Sequence, residues 1–207
     1  MKQPVVLFIF ALLLIGPVAA DEAAVKALSD RLVDMKSFQA DFYQASLDAQ
    51  GNMLTEAQGS FAVKRPGLLH WQAEPPLEQW IIADGEQLWL YDPDLEQVTV
   101  QPMSEDISQT PALLLSGEVD RLGEAYQVAQ KVLDDGWVRF DLIPRAPDSL
   151  FEQLSLIFQG NVLMQMHLHD ALGQRSSFEF SNSQVNPSLD DQLFQFTPPD
   201  GVDVISQ

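Results

Sequence analysis

The fold is decided by the stretch Gly59-Ser60-Phe61-Ala62-Val63-Lys64-Arg65-Pro66-Gly67-Leu68-Leu69-His70-Trp71. Alternate residues from Phe61 to Arg65 share one parity of a strand and should point to the same face of a sheet. The Pro66-Gly67 pair predicts a turn or bulge, after which Leu69 and Trp71 can continue that face. A lone arginine is thus placed among hydrophobic side chains, and because an unpaired buried charge is costly, Arg65 needs hydrogen-bond acceptors. The alternative is a surface arginine that extends its charged group into water.

The first twenty residues have the order of a secretory signal. Lys2 precedes an apolar run at residues 5–15, and Gly16-Pro17 and small residues follow. That run is too short to span a bilayer comfortably, so we expect residues 1–20 to be a signal peptide cleaved after Ala20. The mature chain would be residues 21–207, which is long enough for a single well-buried domain.

Composition narrows the possible environments and partners. The chain has no cysteine, which excludes disulfide bonds and thiolate metal sites. A lipid-anchored export product would need cysteine as its first mature residue, and that position is Asp21. The net charge is −19, and it becomes −20 when Lys2 leaves with the signal. Such a charge argues against nucleic acid as a partner and repels anionic lipid head groups. From the signal peptide and the missing anchoring cysteine we expect a soluble monomer in the periplasm.

One helix and many short strands are predicted. From Glu22 to Met35 apolar residues recur at helical spacing, and Arg31 is assigned to the opposite, charged side. Hydrophobic and polar residues then alternate in successive short segments, separated by turn residues such as Asp84-Gly85 and Asp92-Pro93-Asp94. Roughly ten or eleven antiparallel strands with few helices predict one large curved sheet or open barrel, mainly β in class.

Residues 108–117 interrupt the strands with a short apolar helix. Thr110 can act as its N-cap, Pro111 suits its first position, and Gly117 can end it. Three consecutive leucines, Leu113 to Leu115, cannot all face one side of so short a helix, so another part of the protein must cover them. A helix of about two turns is marginal on its own, which suits an element that docks and undocks. The alternative is a fixed plug in the core.

No set of catalytic residues is evident. His167 and His169 would share one strand face, but His70 is the only other histidine, and no carboxylate pair is aimed at them. The sequence has neither a nucleophile elbow nor a glycine-rich phosphate loop. Met164 and Met166 on one strand face, together with the three leucines, would instead suit a pocket for variable apolar ligands. An ordinary hydrophobic core is the alternative.

Several short motifs follow one another along nearly the whole chain. They are Gly59-Ser60-Phe61-Ala62-Val63-Lys64-Arg65-Pro66 with Trp71, Asp84-Gly85 with Trp89-Leu90-Tyr91-Asp92-Pro93, Glu96-Gln97, Thr110-Pro111, Gln174-Arg175-Ser176-Ser177 and Phe194-Gln195-Phe196-Thr197-Pro198-Pro199-Asp200-Gly201-Val202. This ordered set resembles the LolA family of periplasmic outer-membrane lipoprotein carrier proteins. Leu69 departs from the family pattern, which often has phenylalanine there, and this should alter the shape of the ligand cavity.

The resemblance implies an unclosed antiparallel β-barrel of about eleven strands, with helices that form a lid over a hydrophobic cavity. It implies a chaperone without cofactor or catalysis, which binds acylated lipoproteins from an inner-membrane ABC transporter and carries them to a lipid-anchored outer-membrane receptor of similar fold. Arg65 matches the family's arginine that locks the lid through hydrogen bonds to lid carbonyl groups.

The same resemblance assigns residues to the lid and to the cavity. The lid is predicted at Thr110, Pro111, Ala112, Leu113, Leu114 and Leu115, and the acyl-chain cavity at Phe61, Val63, Leu69, Trp71, Met164 and Met166. Two alternatives remain. One is a lipid-sensing regulator of similar fold, for whose additional C-terminal domain the mature length leaves no room. The other is a periplasmic hydrolase or metal-dependent enzyme, which the missing catalytic constellation argues against.

Overall fold

The computed structural model describes residues 22–103, 111–117, 119, 121–147 and 149–206. The predicted signal peptide and Thr110 lie outside these residues. Two α-helices are described, α1 at Glu22–Asp34 and α2 at Leu122–Ala125, and short 3₁₀ helices occur at Pro111–Leu115, Asp134–Gly136 and Asp191–Phe194. The strands are β1 Ser37–Leu47, β2 Met53–Lys64, β3 Leu68–Ala73, β4 Gln79–Asp84, β5 Gln87–Asp92, β6 Gln97–Pro102, β7 Tyr126–Val132, β8 Trp137–Pro144, β9 Phe151–Gln159, β10 Val162–Asp170, β11 Arg175–Val185 and β12 Asp203–Ser206.

The twelve described strands form one sheet in the order β12-β6-β5-β4-β3-β2-β1-β11-β10-β9-β8-β7. Two antiparallel meanders, β1–β6 and β7–β11, join where β1 pairs with β11, and β12 runs parallel to β6. The edge strands β7 and β12 do not pair with each other, so the predicted unclosed antiparallel barrel is confirmed. The sequence pattern missed these two edge strands, because five of the seven β7 residues and all of β12 are exposed and neither strand alternates cleanly.

Helix α1 packs on the inner face of the sheet. Ala24, Leu28 and Leu32 are buried on one side of the helix, and Met35 continues that side just beyond its end. The predicted helix therefore begins at the right residue and ends within one residue of its prediction. None of the helices in the described part of the chain is long and apolar enough to cross a membrane.

A second, smaller hydrophobic cluster lies on the outer face of the sheet. The segment after β11 returns along β3 to β6 and buries Phe194 there. The ring of Phe196 lies 5.6 Å from Tyr91, 5.7 Å from Trp89 and 6.5 Å from Trp80, measured between centroids. The C-terminal segment thereby covers apolar side chains that the alternating strands direct outward.

A β-bulge in β10 changes which side chains face inward. The register with β9 shifts between Leu163 and Gln165. Leu163 and Met166 are buried in the core, whereas Met164 is only half-buried and is not part of it. The predicted parity that placed Met164 beside Met166 is therefore wrong, because the extra residue of a bulge breaks the alternation of a strand.

Candidate functional site

The inner face of β11, β1, β2 and β3 carries a continuous group of aromatic side chains, which we call the aromatic wall. Phe61 lies at its centre, with its ring 5.4 Å from Trp71 and 5.5 Å from Phe180. The Phe42 ring is 4.0 Å from Trp71. The members, each at most 8% exposed, are Phe38, Phe42, Phe61, Trp71, Phe178 and Phe180. The wall is an extended apolar surface that water does not reach in this conformation.

Five of the six predicted cavity residues belong to the buried cluster that contains this wall, namely Phe61, Val63, Leu69, Trp71 and Met166. Met164 does not belong to it, for the reason given above. Four rings of the wall, Phe38, Phe42, Phe178 and Phe180, were not predicted as cavity residues. Their alternation in β1 and β11 was visible in the sequence, but only the pairing of those two strands places them beside Phe61.

The segment Pro111–Gly117, here called the lid segment, packs into the same buried cluster. Leu113, Leu114 and Leu115 are 7%, 1% and 0% exposed, which confirms that other parts of the protein cover all three. The segment forms a single 3₁₀ helix with its last turn closed by the backbone N–H groups of Ser116 and Gly117, both of which donate to the Leu113 carbonyl. The helix ends at Leu115, two residues before the glycine that was predicted to end it.

Arg65 joins α1, β2 and the lid segment. Its Nε donates to the Met35 carbonyl oxygen at 3.2 Å, and its Nη1 donates to the carbonyl oxygen of Gly117. The backbone N–H of Gly67 adds a hydrogen bond of 2.8 Å to the Ser116 carbonyl. Burial lowers the pKa of Arg65 to about 10, so the group remains charged at neutral pH. The guanidinium is directed at two backbone carbonyl groups instead of extending into water.

A second arginine, Arg31 of α1, also approaches the core. Its guanidinium carbon lies 5.2 Å from the centroid of the buried Phe140 ring, within the range of a cation–π contact. Its Nη1 donates to the Ala27 carbonyl oxygen at 3.0 Å. The assignment of Arg31 to the charged side of the helix is therefore wrong. Residue 31 follows the buried Leu28 by three positions and so lies beside the apolar stripe, which its aliphatic stem extends.

The aromatic wall is closed in this structure. A groove of about 540 Å³ on the outer face is lined by Leu68, Asp84 and residues of the C-terminal segment, and a groove of about 360 Å³ is lined in part by Asp41 and Gly59. The smaller groove is also lined by Phe42, a member of the wall, and neither groove is lined by the lid segment or by Arg65. Because the wall residues are almost fully buried, most of them are inaccessible to an apolar ligand in this conformation.

The remaining candidate residues lie away from this cluster. His167 faces Ser155 across the pair of β10 and β9, and burial lowers its pKa. Within the described ranges no three His, Asp or Glu side chains come close enough to hold a metal ion. Asp92 ends β5, and its carboxylate accepts a hydrogen bond of 3.1 Å from the backbone N–H of Leu95 in the turn that follows.

The chain is similar to one group of proteins over most of its length. Residues 34–197 match the family model described as "Outer membrane lipoprotein carrier protein LolA". An outer-membrane lipoprotein carrier protein of Hahella chejuensis is 47% identical over 189 residues, or 91% of this chain and 90% of that protein. The protein of the same name from Azotobacter vinelandii is 42% identical over 193 residues, 93% of each chain. An uncharacterized conserved protein from Thermus thermophilus shares the fold, with a TM-score of 0.52 and 12% identity over 88% of this chain and 98% of its own.

Proposed function

The chain belongs to the LolA family of outer membrane lipoprotein carrier proteins, and from this premise we propose that it is a chaperone that binds the acyl chains of lipoproteins and carries them to the outer membrane. The observation that supports this most directly is the lid segment. Its three buried leucines lie in one cluster with the aromatic wall, yet the segment is a 3₁₀ helix of only five residues. An apolar surface covered by a small, separable element is what a carrier of acyl chains requires.

A lipoprotein carrier must keep the acyl chains of its cargo out of water. Each buried methylene group is worth about 0.8 kcal/mol, so a triacyl anchor costs tens of kcal/mol to expose. Unassisted passage between two membranes is therefore prohibitive. In the proposed cycle the acyl chains replace Leu113 to Leu115 against the aromatic wall, so that the wall is covered by hydrocarbon in both the empty and the loaded states.

The proposed role of Arg65 is to lock the empty state. Its hydrogen bonds to the carbonyl groups of Met35 and Gly117 hold the end of α1 and the end of the lid segment together. A charge-assisted hydrogen bond contributes roughly 1.5 to 3 kcal/mol, so two of them favour closure without making it irreversible. A carrier needs this moderate strength, because it must both accept and release its cargo.

The partners and the compartment follow from the same proposal. The cargo would come from an inner-membrane ABC transporter that releases lipoproteins, and would pass to a lipid-anchored receptor of similar fold at the outer membrane. Residues 1–20 would direct export to the periplasm and be removed, leaving residues 21–207 as one carrier domain. Binding and transfer make or break no covalent bond, so the proposed activity needs no catalytic group.

Displacement of an apolar dye tests the proposed function. An environment-sensitive dye should bind the purified protein and lose fluorescence when a triacylated lipoprotein is added. The same lipoprotein with its acyl chains removed is the control and should leave the signal unchanged. Native mass spectrometry after expression in a lipoprotein-exporting host should show a bound acylated protein. Dye fluorescence that persists at saturating lipoprotein would refute the proposal.

A further inference from the structure

Two arginine nitrogens near the end of α1 are buried without a hydrogen-bond partner. Among the described residues, the buried side-chain nitrogens in this condition are Nε of Arg31 and Nη2 of Arg65. Buried polar groups in native proteins are nearly always paired, because an unmade hydrogen bond is not compensated by water. The unpaired donor of Arg31 therefore points to an acceptor that the closed conformation does not supply.

The Arg31 donor lies beside the inner cluster, and the Arg65 donor lies at the lid segment. Arg31 lies over the buried Phe140 ring, and Arg65 reaches between Met35 and Gly117. The backbone N–H of Met35 donates to the Arg31 carbonyl at 3.1 Å, so the two arginines are linked to the same last turn of α1. That turn is attached to the lid segment through Arg65.

The acyl anchor of a lipoprotein has polar acceptors at the point where its chains meet. Its diacylglyceryl group contributes ester carbonyl oxygens, and an N-acyl chain contributes an amide carbonyl oxygen. A guanidinium carries several donors and no acceptor, so a carbonyl oxygen at the edge of an apolar cluster is a suitable partner. An anionic head group would suit the site less well, because the whole chain carries a net charge of −19.

We propose that Arg31 binds a carbonyl oxygen of the cargo's lipid anchor when the lid opens. The protein then recognises the polar linkage of the anchor as well as its hydrocarbon chains, and simple alkyl chains are poorer ligands than acyl chains. Arg31 is the new element, because it contacts neither the lid segment nor its carbonyl groups among the described contacts. This inference rests on the proposed function.

The test compares ester with ether linkages. A cysteinyl peptide with a dipalmitoylglyceryl group and its dihexadecyl ether analogue, which lacks the two carbonyl oxygens, are titrated against dye-loaded protein. The ester form should bind the wild type roughly tenfold more tightly. Arg31→Met should bring that ratio towards one. Lys26→Met is the matched control, because it removes an exposed cation of the same helix, and it should leave the ratio unchanged.

Each outcome bears on one of the two proposals. Equal affinity of the ester and ether forms for the wild type overturns the inference while leaving the carrier function in place, and this comparison needs no variant to fold. An unchanged ratio in Arg31→Met, with the ester preference present in the wild type, overturns the assignment to Arg31. Failure of both forms to displace the dye refutes the proposed function and the inference with it. A ratio reduced in Arg31→Met but not in Lys26→Met supports the inference, since a general loss of stability would weaken both ligands equally.

Discussion

Substitution of leucine for Arg65 should separate the acceptance of cargo from its release. The change removes both donors that hold the carbonyl groups of Met35 and Gly117. Leucine cannot replace them, and it adds apolar surface beside the inner cluster. In the closed form two acceptors lose their partner, whereas in the loaded form the new side chain can contact lipid. Both effects favour the loaded state.

The size of the shift can be worked from these contacts. Loss of two hydrogen bonds should destabilise the closed form by about 1 to 3 kcal/mol. This net value is smaller than the strength of the two bonds, because the variant no longer has to bury a charge with an unpaired nitrogen. About 40 Å² of new apolar contact in the loaded form would add about 1 kcal/mol at about 25 cal/mol per Å². The sum, about 2 to 4 kcal/mol, corresponds to a shift between roughly thirtyfold and several hundredfold towards the loaded form.

A two-step assay measures the two halves of the cycle. Loading is followed with inner-membrane vesicles that release lipoprotein, and transfer is followed by exposing the loaded carrier to immobilised receptor. Arg65→Leu should load as well as the wild type and transfer at least tenfold less. Lys26→Leu, which removes an exposed cation of α1, is the control and should change neither step. The empty Arg65→Leu variant should also melt at a lower temperature than the wild type.

Two results would refute this reasoning. Transfer at the wild-type rate would show that the hydrogen bonds of Arg65 do not control release. A higher melting temperature for the empty variant would show that the cost of burying the guanidinium exceeds the gain from its two acceptors.

Three further predictions concern the lid segment, the sheet and the outer face. Leu114→Asp should reduce loading more than it reduces folding, because a carboxylate at this buried position should displace the five-residue helix and leave the sheet intact. If the variant lacks the circular dichroism signal of β-strands, the segment is instead a fixed part of the core. Gly59→Ala should lower the free energy of unfolding by about 1 to 3 kcal/mol, because its Cβ would lie 1.9 Å from the Gln72 carbonyl oxygen. An unchanged urea midpoint would contradict that prediction. Burial lowers the pKa of His70 below its ordinary 6.5, so the stability it contributes is present above that pH and is lost as the pH falls below it. The loss of stability between about pH 7.5 and 5.5 should be smaller in His70→Gln, and equal losses would exclude His70 as its source.

The turns show how much local sequence can determine. Asp84-Gly85 was expected to form a tight hairpin, and Asp84 accepts hydrogen bonds from the backbone N–H groups of Glu86 and Gln87 at 2.9 and 2.8 Å, while Gly85 has a φ of +94°. These features depend on residues within three positions of each other. The inward parity of Phe61 and Val63 is equally local, because strand geometry fixes the alternation of side chains. The sequence alone was therefore sufficient for every strand of the two meanders except β7, for the antiparallel class and for the central residues of the inner face.

Most of the candidate site depends on residues far apart in the chain. The pairing of β1 with β11 brings Phe38 and Phe180 to a centroid distance of 5.8 Å, although they lie far apart in the sequence. The family resemblance predicted that carbonyl groups of a lid accept the hydrogen bonds of Arg65. It did not predict that one acceptor is the carbonyl group of Met35 at the end of α1. Arg31 was misassigned for the same kind of reason, since a helical pattern does not show where the apolar stripe ends.

The physical reason for the division is the range over which each constraint acts. Side-chain alternation, turn formation and helical periodicity are imposed by the covalent backbone and by neighbours a few residues away, so the sequence by itself determined them. Strand register and the surfaces that remain free after the sheet has formed determine the other features. These are the inner position of Leu163 in place of Met164, the approach of Arg31 to Phe140 and the covering of the outer face by the C-terminal segment. Those are properties of the packed chain, and only the tertiary structure decided them.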